Sequence, residues 1–115
     1  MAGGLTAAPW EAWWVDLDPQ LGREQSGLRP AIVVGSEFAC TRRNNLALVV
    51  PCSTTDRGLP WRPPVVLYGR AGVALCDHIK SLDLVRLVRR HRAGVLDPAY
   101  RAAIADVLRR MLATP

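Results

Sequence analysis

Residues Gly22 to Pro30 read GREQSGLRP and crowd charged and polar side chains between two strongly apolar segments. The segment before it, WEAWWVDLDP from Trp10 to Pro19, alternates its side chains with the period of a half-buried strand. The residues predicted to share the buried face are Trp13, Val15 and Leu17, with Trp14 and Asp16 on the opposite face. The segment after it, AIVVG from Ala31 to Gly35, predicts a second strand. Two strands joined by a polar loop are therefore expected.

The loop itself carries prolines and glycines that fix or free the backbone at four points: Pro19, Gly22, Gly27 and Pro30. Such a loop holds one shape while its side chains stay exposed, so it presents Arg23, Glu24, Gln25 and Arg29 to solvent. Two interpretations follow from this exposure. The loop either contacts a partner or is a solvated hairpin connection whose charges maintain solubility.

Short segments rich in valine and leucine predict the remaining strands, namely Leu46 to Cys52, Pro64 to Leu67 and Val73 to Leu75. Thr41 to Asn45 reads as a turn, and Thr54 to Pro64 is too rich in proline to enter a central strand. Ser81 to Leu87 is predicted to form a short helical turn with Arg86 outward. The chain is therefore mainly β, with a strongly bent antiparallel sheet of five or six strands closing toward an SH3-like, partly open barrel.

A C-terminal helix is predicted because Asp97 is a good N-cap and Pro98 a good first helical residue. Apolar residues then recur at helical spacing along one stripe, at Tyr100, Ile104, Val107, Leu108, Met111 and Leu112. This stripe is expected to pack on the sheet.

A chain of 115 residues with 50% hydrophobic side chains predicts one domain over residues 1–115, with residues 1–9 flexible. The N-terminus has neither a basic start nor an apolar run, and no segment approaches the length of a membrane span. We therefore expect a cytoplasmic protein. Its cysteines, Cys40, Cys52 and Cys76, are odd in number and far apart, which argues against a disulfide framework and favours small core or strand residues.

A zinc site built from Cys76, His78 and a second cysteine is the alternative use of these thiols. It is disfavoured because the sequence contains no Cys-x-x-Cys pair. Neither a metal nor another cofactor is expected.

The charge balance points to an anionic partner, because 15 Lys and Arg residues outnumber 10 Asp and Glu residues. All of these cations except Lys80 are arginines. Arginine pairs bidentately with phosphate and stacks on bases. The cations concentrate in LVRRHRAG, which contains Arg89, Arg90, His91 and Arg92. This stretch is either a solvated edge strand, a patch that tracks RNA, or a surface for an acidic protein segment.

Five ordered segments carry a family resemblance, namely WVDLDP, GREQSGLRP, AIVVG, PCSTT from Pro51 to Thr55, and LCDHIKSLDLVRL from Leu75 to Leu87. Together they resemble the MazF/PemK family of toxin endoribonucleases. The resemblance implies a CcdB/MazF-like toxin fold, a homodimer, and a toxin of a type II toxin-antitoxin system. It further implies metal-independent cleavage of single-stranded RNA through 2′-hydroxyl attack, and a cognate antitoxin with an acidic disordered tail. Neither a membrane nor a direct DNA contact is implied.

The resemblance also assigns roles to residues. Arg29 stands at the family's catalytic arginine, and Ser53 stands where the family has a catalytic threonine or serine. Thr54 is the adjacent hydroxyl that could replace Ser53, and either hydroxyl could instead cap a strand end. Glu24 could orient Arg29, accept a proton or merely form an ion pair.

Several neighbouring polar side chains are expected to contact RNA. Gln25 and Ser26 offer hydrogen bonds to an unpaired base edge, and Arg23 and Thr55 are further expected contacts. His78 stands where the family usually has glutamine. Because histidine titrates near neutrality, His78 is either a general base or only a hydrogen-bonding RNA contact.

Two rival functions come from other classes of protein. One is a non-enzymatic toxin of the same fold that poisons a topoisomerase such as gyrase, as CcdB-like proteins do. The other is a catalytically silent SH3-like adaptor that binds RNA or protein. GREQSGLRP together with PCSTT favours the nuclease. The substrate that the resemblance implies is messenger, transfer or ribosomal RNA.

Overall fold

The computed structural model describes residues 6–17, 27–35, 40 and 45–114. In this part of the chain the strands are β1 (Glu11–Asp16), β2 (Leu28–Val33), β3 (Leu46–Ser53), β4 (Pro64–Leu67), β5 (Arg70–Ala74), β6 (Lys80–Asp83) and β7 (Leu87–Val95). Two short 3₁₀ turns, Cys76–His78 and Leu84–Arg86, flank β6. Helix α1 (Pro98–Leu112) follows β7. Among the described residues, no helix is both long and apolar enough to cross a membrane.

The strands form one antiparallel sheet in the order β4-β5-β3-β2-β1-β7, with β6 also beside β3. Strand β3 changes partners along its length. It pairs with β6 from Leu46 to Val49, with β2 from Val49 to Pro51, and with β5 at Cys52 and Ser53. One long strand shared among three neighbours bends the sheet, and the result is a curled half-barrel rather than a flat layer.

The curled sheet is apolar on both faces, so it carries two cores. One cluster includes Trp13, Val15 and Leu17, which confirms the alternation predicted for β1. The other cluster joins the opposite face of the sheet to helix α1 through residues such as Ile32 and Ile104. Of these two arrangements, only the helix packed on the sheet was expected from the sequence.

Helix α1 begins where the sequence predicted. The Asp97 carboxylate accepts a hydrogen bond of 2.9 Å from the Ala99 N–H, and Pro98 is the first helical residue. Ile104 and Leu108 of the apolar stripe are buried. The end of the stripe was predicted to pack on the sheet, but Met111 and Leu112 are exposed. The last turn of the helix is therefore not buried against the sheet.

Two sequence predictions about the sheet were wrong. It has seven described strands instead of five or six, because Lys80–Asp83 pairs with Leu46–Val49. Only Leu84–Arg86 of the predicted helical turn is helical, since Leu82 is buried in the same cluster as Trp13 and Val15. Of the N-terminal segment predicted to be flexible, residues 1–5 lie outside the described residues, whereas Ala7 is buried. The turn predicted at Thr41 to Asn45 lies outside them except for Asn45.

Candidate functional site

Strand β2 carries Arg29 at its exposed beginning. The sequence analysis placed Arg29 in the loop, but β2 begins at Leu28, and Arg29 is paired with Val15 of β1. The ladder starts early because the Leu17 N–H donates to the Gly27 carbonyl at 2.9 Å. Pro30 is tolerated since β2 pairs there with β1 alone, and its pairing with β3 begins at Ala31. Arg29 is thus held by a sheet rather than by a loop.

Ser53 is the last residue of β3 and lies two positions beyond the end of the ladder between β2 and β3. The final pair between β2 and β3 is Ala31 with Pro51. Arg29 precedes Ala31 by two positions and Ser53 follows Pro51 by two, so continuing the antiparallel register brings these side chains opposite each other. Ser53 Oγ accepts a hydrogen bond of 3.0 Å from the Thr55 N–H. This is the capping role considered above, and it leaves the hydroxyl proton available for donation.

Arg29, Ser53 and Thr54 line one open groove of about 680 Å³. We call it the arginine groove, because its described lining contains five arginines and no carboxylate, the arginines being Arg29, Arg70, Arg89, Arg90 and Arg92. Three of them come from β7, which ends the strand order of the described sheet. Strand β7 is therefore an edge of the described sheet and also supplies three of the five arginines of the groove.

Aromatic rings form one wall of the arginine groove. The rings of Trp14 and His91 stack with their centroids 5.1 Å apart, and the Arg89 guanidinium lies 5.5 Å from the centroid of Trp14. The Arg90 guanidinium forms an ion pair of 3.0 Å with the Glu11 carboxylate, and it lies 5.7 Å from the centroid of the Trp13 ring. These contacts give the cations defined positions before any ligand arrives.

His91 is a groove residue that the sequence analysis treated only as part of a basic stretch. Its Nδ1 accepts a hydrogen bond of 3.0 Å from the Ala93 N–H, so the neutral ring carries its proton on Nε2. Burial lowers the pKa of His91 below the ordinary 6.5. Its only sequence signal was its position between arginines, since the contact with Trp14 joins distant parts of the chain.

A pH-dependent stability is expected from His91. As the pH falls below about 6.5, the unfolded chain takes up this proton before the folded chain does, so the free energy of unfolding should fall. Urea unfolding at about pH 7.5 and about pH 5.5 should show a smaller loss in His91→Gln than in the parent. Because His78 is present in both proteins, it cancels in this comparison. Equal losses in the two proteins would contradict the expectation.

His78 lies elsewhere in the fold and is not among the described residues that line the arginine groove. Arg62 makes two hydrogen bonds to the Asp77 carboxylate, at 2.9 and 2.8 Å, and its Nη2 lies 3.4 Å from His78 Nε2. The Arg62 hydrogen bonds hold the pKa of Asp77 below its ordinary value. His78 Nδ1 is buried and has no hydrogen-bond partner among the described residues. The structure therefore does not bring His78 together with Arg29 and Ser53.

We expect His78→Gln to leave the pH profile of RNA cleavage unchanged, because the His78 ring faces Arg62 and lies apart from the groove. The measurement is the cleavage rate of one defined RNA from about pH 5.5 to about pH 8.5. Loss of the acidic limb of the profile in the variant would instead make His78 the general base.

The remaining predicted site residues divide between described and undescribed parts of the chain. Arg23, Glu24, Gln25 and Ser26 lie outside the described residues. Thr55 is exposed directly after Thr54, with its backbone engaged by Ser53. Sequence reasoning missed Tyr68 and Arg70 as groove residues. Trp14 was expected on the strand face opposite the buried Trp13, and it lines the groove.

The thiols of Cys52 and Cys76 are poor nucleophiles. Burial raises the pKa of Cys52, which touches the groove, to about 12 and that of Cys76 to about 11, so both stay protonated at neutral pH. Their burial confirms the prediction of small core residues for this pair. The described residues hold no group of three or more His, Cys, Asp or Glu side chains suited to a metal ion.

The structure is thus a small, curled antiparallel half-barrel with a groove lined by arginines and hydroxyls. A groove of this charge suits an anionic ligand. The family described as PemK-like, MazF-like toxin of type II toxin-antitoxin system matches residues 8–112. This match covers most of the sequence and all the described residues that line the groove. The chain belongs to that family.

Individual relatives agree with the family. The endoribonuclease toxin MazF of Escherichia coli K12 is 48% identical over 71 residues, which cover 60% of this chain and 61% of that relative. The match therefore spans about three fifths of the relative's length. MazF from Deinococcus radiodurans superposes with a TM-score of 0.78 at 28% identity, covering 93% of this chain and 96% of that chain. A MazE-MazF structure from the same organism gives 0.71 at 28%, with the same coverage. These similarities confirm the predicted fold.

Proposed function

We propose that this protein is the toxin of a type II toxin-antitoxin system and cuts single-stranded RNA in the arginine groove without a metal ion. The observation that carries the proposal is the lining of the groove, where Arg29 and Ser53 share one cavity with four further arginines and no described carboxylate. Such a surface attracts a phosphate backbone along its whole length. The relatives named as endoribonucleases support the same reaction.

In the proposed reaction the RNA supplies its own nucleophile. The 2′-oxygen attacks the adjacent phosphorus, the bond from phosphorus to the 5′-oxygen breaks, and the products carry a 2′,3′-cyclic phosphate and a 5′-hydroxyl. The protein must stabilise the doubly charged phosphorane, while the 2′-hydroxyl proton passes to Glu24 or to water and the leaving 5′-oxygen takes up a proton from water. Arg29 supplies a fixed positive charge at the phosphoryl oxygens. Ser53 donates a hydrogen bond from its neutral hydroxyl to one of them, since its oxygen is already oriented by the hydrogen bond that it accepts from the Thr55 N–H.

Other residues take supporting roles in this proposal. Glu24 orients Arg29 or accepts the 2′-proton, and Thr54 is the substitute hydroxyl. Gln25, Ser26 and Arg23 are the proposed contacts to the bases.

The proposed partners follow from charge and from the relatives. An antitoxin with an acidic disordered tail would neutralise the arginine groove and exclude RNA from it. A MazE-MazF complex among the similar structures supports a partner of this kind. A homodimer and a cytoplasmic location belong to the same proposal.

The test is incubation of purified, antitoxin-free protein with total RNA in excess EDTA, followed by sequencing of the cut ends and assay for 5′-hydroxyl groups. Discrete cuts with 5′-hydroxyl ends that disappear in Ser53→Ala and persist in Thr54→Ala support the proposal. Loss in Thr54→Ala alone assigns the hydroxyl to Thr54. Absence of cuts from folded protein overturns the nuclease and leaves the topoisomerase poison or the silent adaptor.

A further inference from the structure

The hairpin between β4 and β5 carries an unusual residue at its tip. Leu67 pairs with Arg70, so Tyr68 and Gly69 alone form the turn. Both have positive φ, 51° and 79°. Two such angles define the turn that matches the twist of a two-residue hairpin, and its first position is usually Asn, Asp or Gly. Tyrosine at that position is strained.

Packing does not account for this tyrosine. The side chain of Tyr68 is 67% exposed, so it contributes little to either core. It nevertheless lines the arginine groove beside Arg70, and the Arg92 guanidinium lies 5.8 Å from the centroid of its ring. A strained residue that is not needed by the core is more readily explained by what its side chain binds.

We propose that Tyr68, backed by Arg92, is a stacking subsite for one unpaired nucleobase of the RNA held in the arginine groove. The inference rests on the proposed function and specifies how that site holds its substrate. A tyrosine face accepts any base, and a neighbouring guanidinium strengthens the contact. Arg70, two residues further along the hairpin, also lines the groove and would meet the adjoining phosphate. Tyr68 therefore adds affinity at one nucleotide position without dictating which base occupies it.

The positive φ of Tyr68 allows a substitution that should remove RNA binding by the ring without destabilising the fold. Asparagine tolerates positive φ better than tyrosine, so Tyr68→Asn removes the ring while relieving the backbone. Its thermal midpoint should be at least that of the parent. Tyr68→Phe keeps the ring and is the matched control.

The experiment measures binding of a short single-stranded RNA in a Ser53→Ala background, where the RNA stays intact. Tyr68→Asn should weaken binding roughly five- to one-hundred-fold, and Tyr68→Phe should leave it within about twofold. An RNA with one abasic nucleotide, moved along the strand, should locate the partner base. At that position the abasic RNA should bind parent and Tyr68→Asn proteins equally.

The outcomes distinguish this inference from the proposed function. Full affinity of Tyr68→Asn for an RNA that the parent protein cuts would overturn the stacking subsite alone. A loss that is the same with every abasic RNA would also overturn it, because the ring would then have no single partner base. A parent protein that neither binds nor cuts single-stranded RNA would overturn the proposed function, and the subsite with it.

Discussion

Arg29→Ala is expected to lower kcat/KM for RNA cleavage by about a hundredfold to a thousandfold, the loss typical when one preorganised donor to a transition-state oxyanion is removed. Arg29 is exposed on β2 and its strand pairing involves only backbone, so the fold should survive. The measurement is cleavage of a short RNA that spans one mapped cut site, together with the urea midpoint of the same protein.

The matched control is Arg109→Ala, which removes an equally charged, exposed side chain from helix α1. Arg109 is not among the described residues of the arginine groove, so cleavage should stay within about twofold of the parent at a fixed salt concentration. If the two variants cut equally well, Arg29 would have no catalytic role, and its loss would matter only as the loss of one positive charge.

Gly72→Ala is expected to damage both stability and cleavage. A Cβ on Gly72 would overlap the backbone carbonyl oxygen of Ser53 on the neighbouring strand β3. Backbone cannot move aside as a side-chain end can, so the strands must separate at the point where Ser53 and Thr54 enter the groove. Overpacking of this kind costs about 1–3 kcal/mol of unfolding free energy. We expect a fall of that size, with cleavage reduced even at temperatures where the variant remains folded.

The control for Gly72→Ala is Ala71→Ser, since Ala71 is the exposed neighbour on the same strand. This exchange should change the free energy of unfolding by less than about 0.5 kcal/mol and leave cleavage intact. A Gly72→Ala protein with parental stability and parental cleavage would show that β3 and β5 do not constrain the Ser53 segment.

Local sequence patterns predicted much of the fold. Alternation identified β1 correctly, and the pair Asp97 and Pro98 fixed the start of α1 to the residue, because both signals depend on neighbours along the chain. Strand β6 was missed because the local turn preference of Ser81 to Leu87 was overridden by pairing with β3, which is distant in sequence.

The candidate site was predictable only in part. Arg29 and Ser53 were found through the family resemblance, and the register between β2 and β3 explains why two residues so far apart share one groove. The aromatic wall of the groove could not be predicted from the sequence, because it depends on contacts across the sheet, such as that of Trp14 with His91. Family position likewise drew attention to His78, whereas the histidine that lines the groove is His91.

The central claim is that the arginine groove directs the RNA's own 2′-hydroxyl against its phosphate. The most direct test compares two short RNAs that differ only in one 2′-deoxy nucleotide, located immediately 5′ to a mapped cut. We predict that the protein cuts the all-RNA strand and leaves the substituted bond intact, while both strands bind with similar affinity. Cleavage of the substituted bond would contradict the account, since the attacking group would then have to come from water or from the protein.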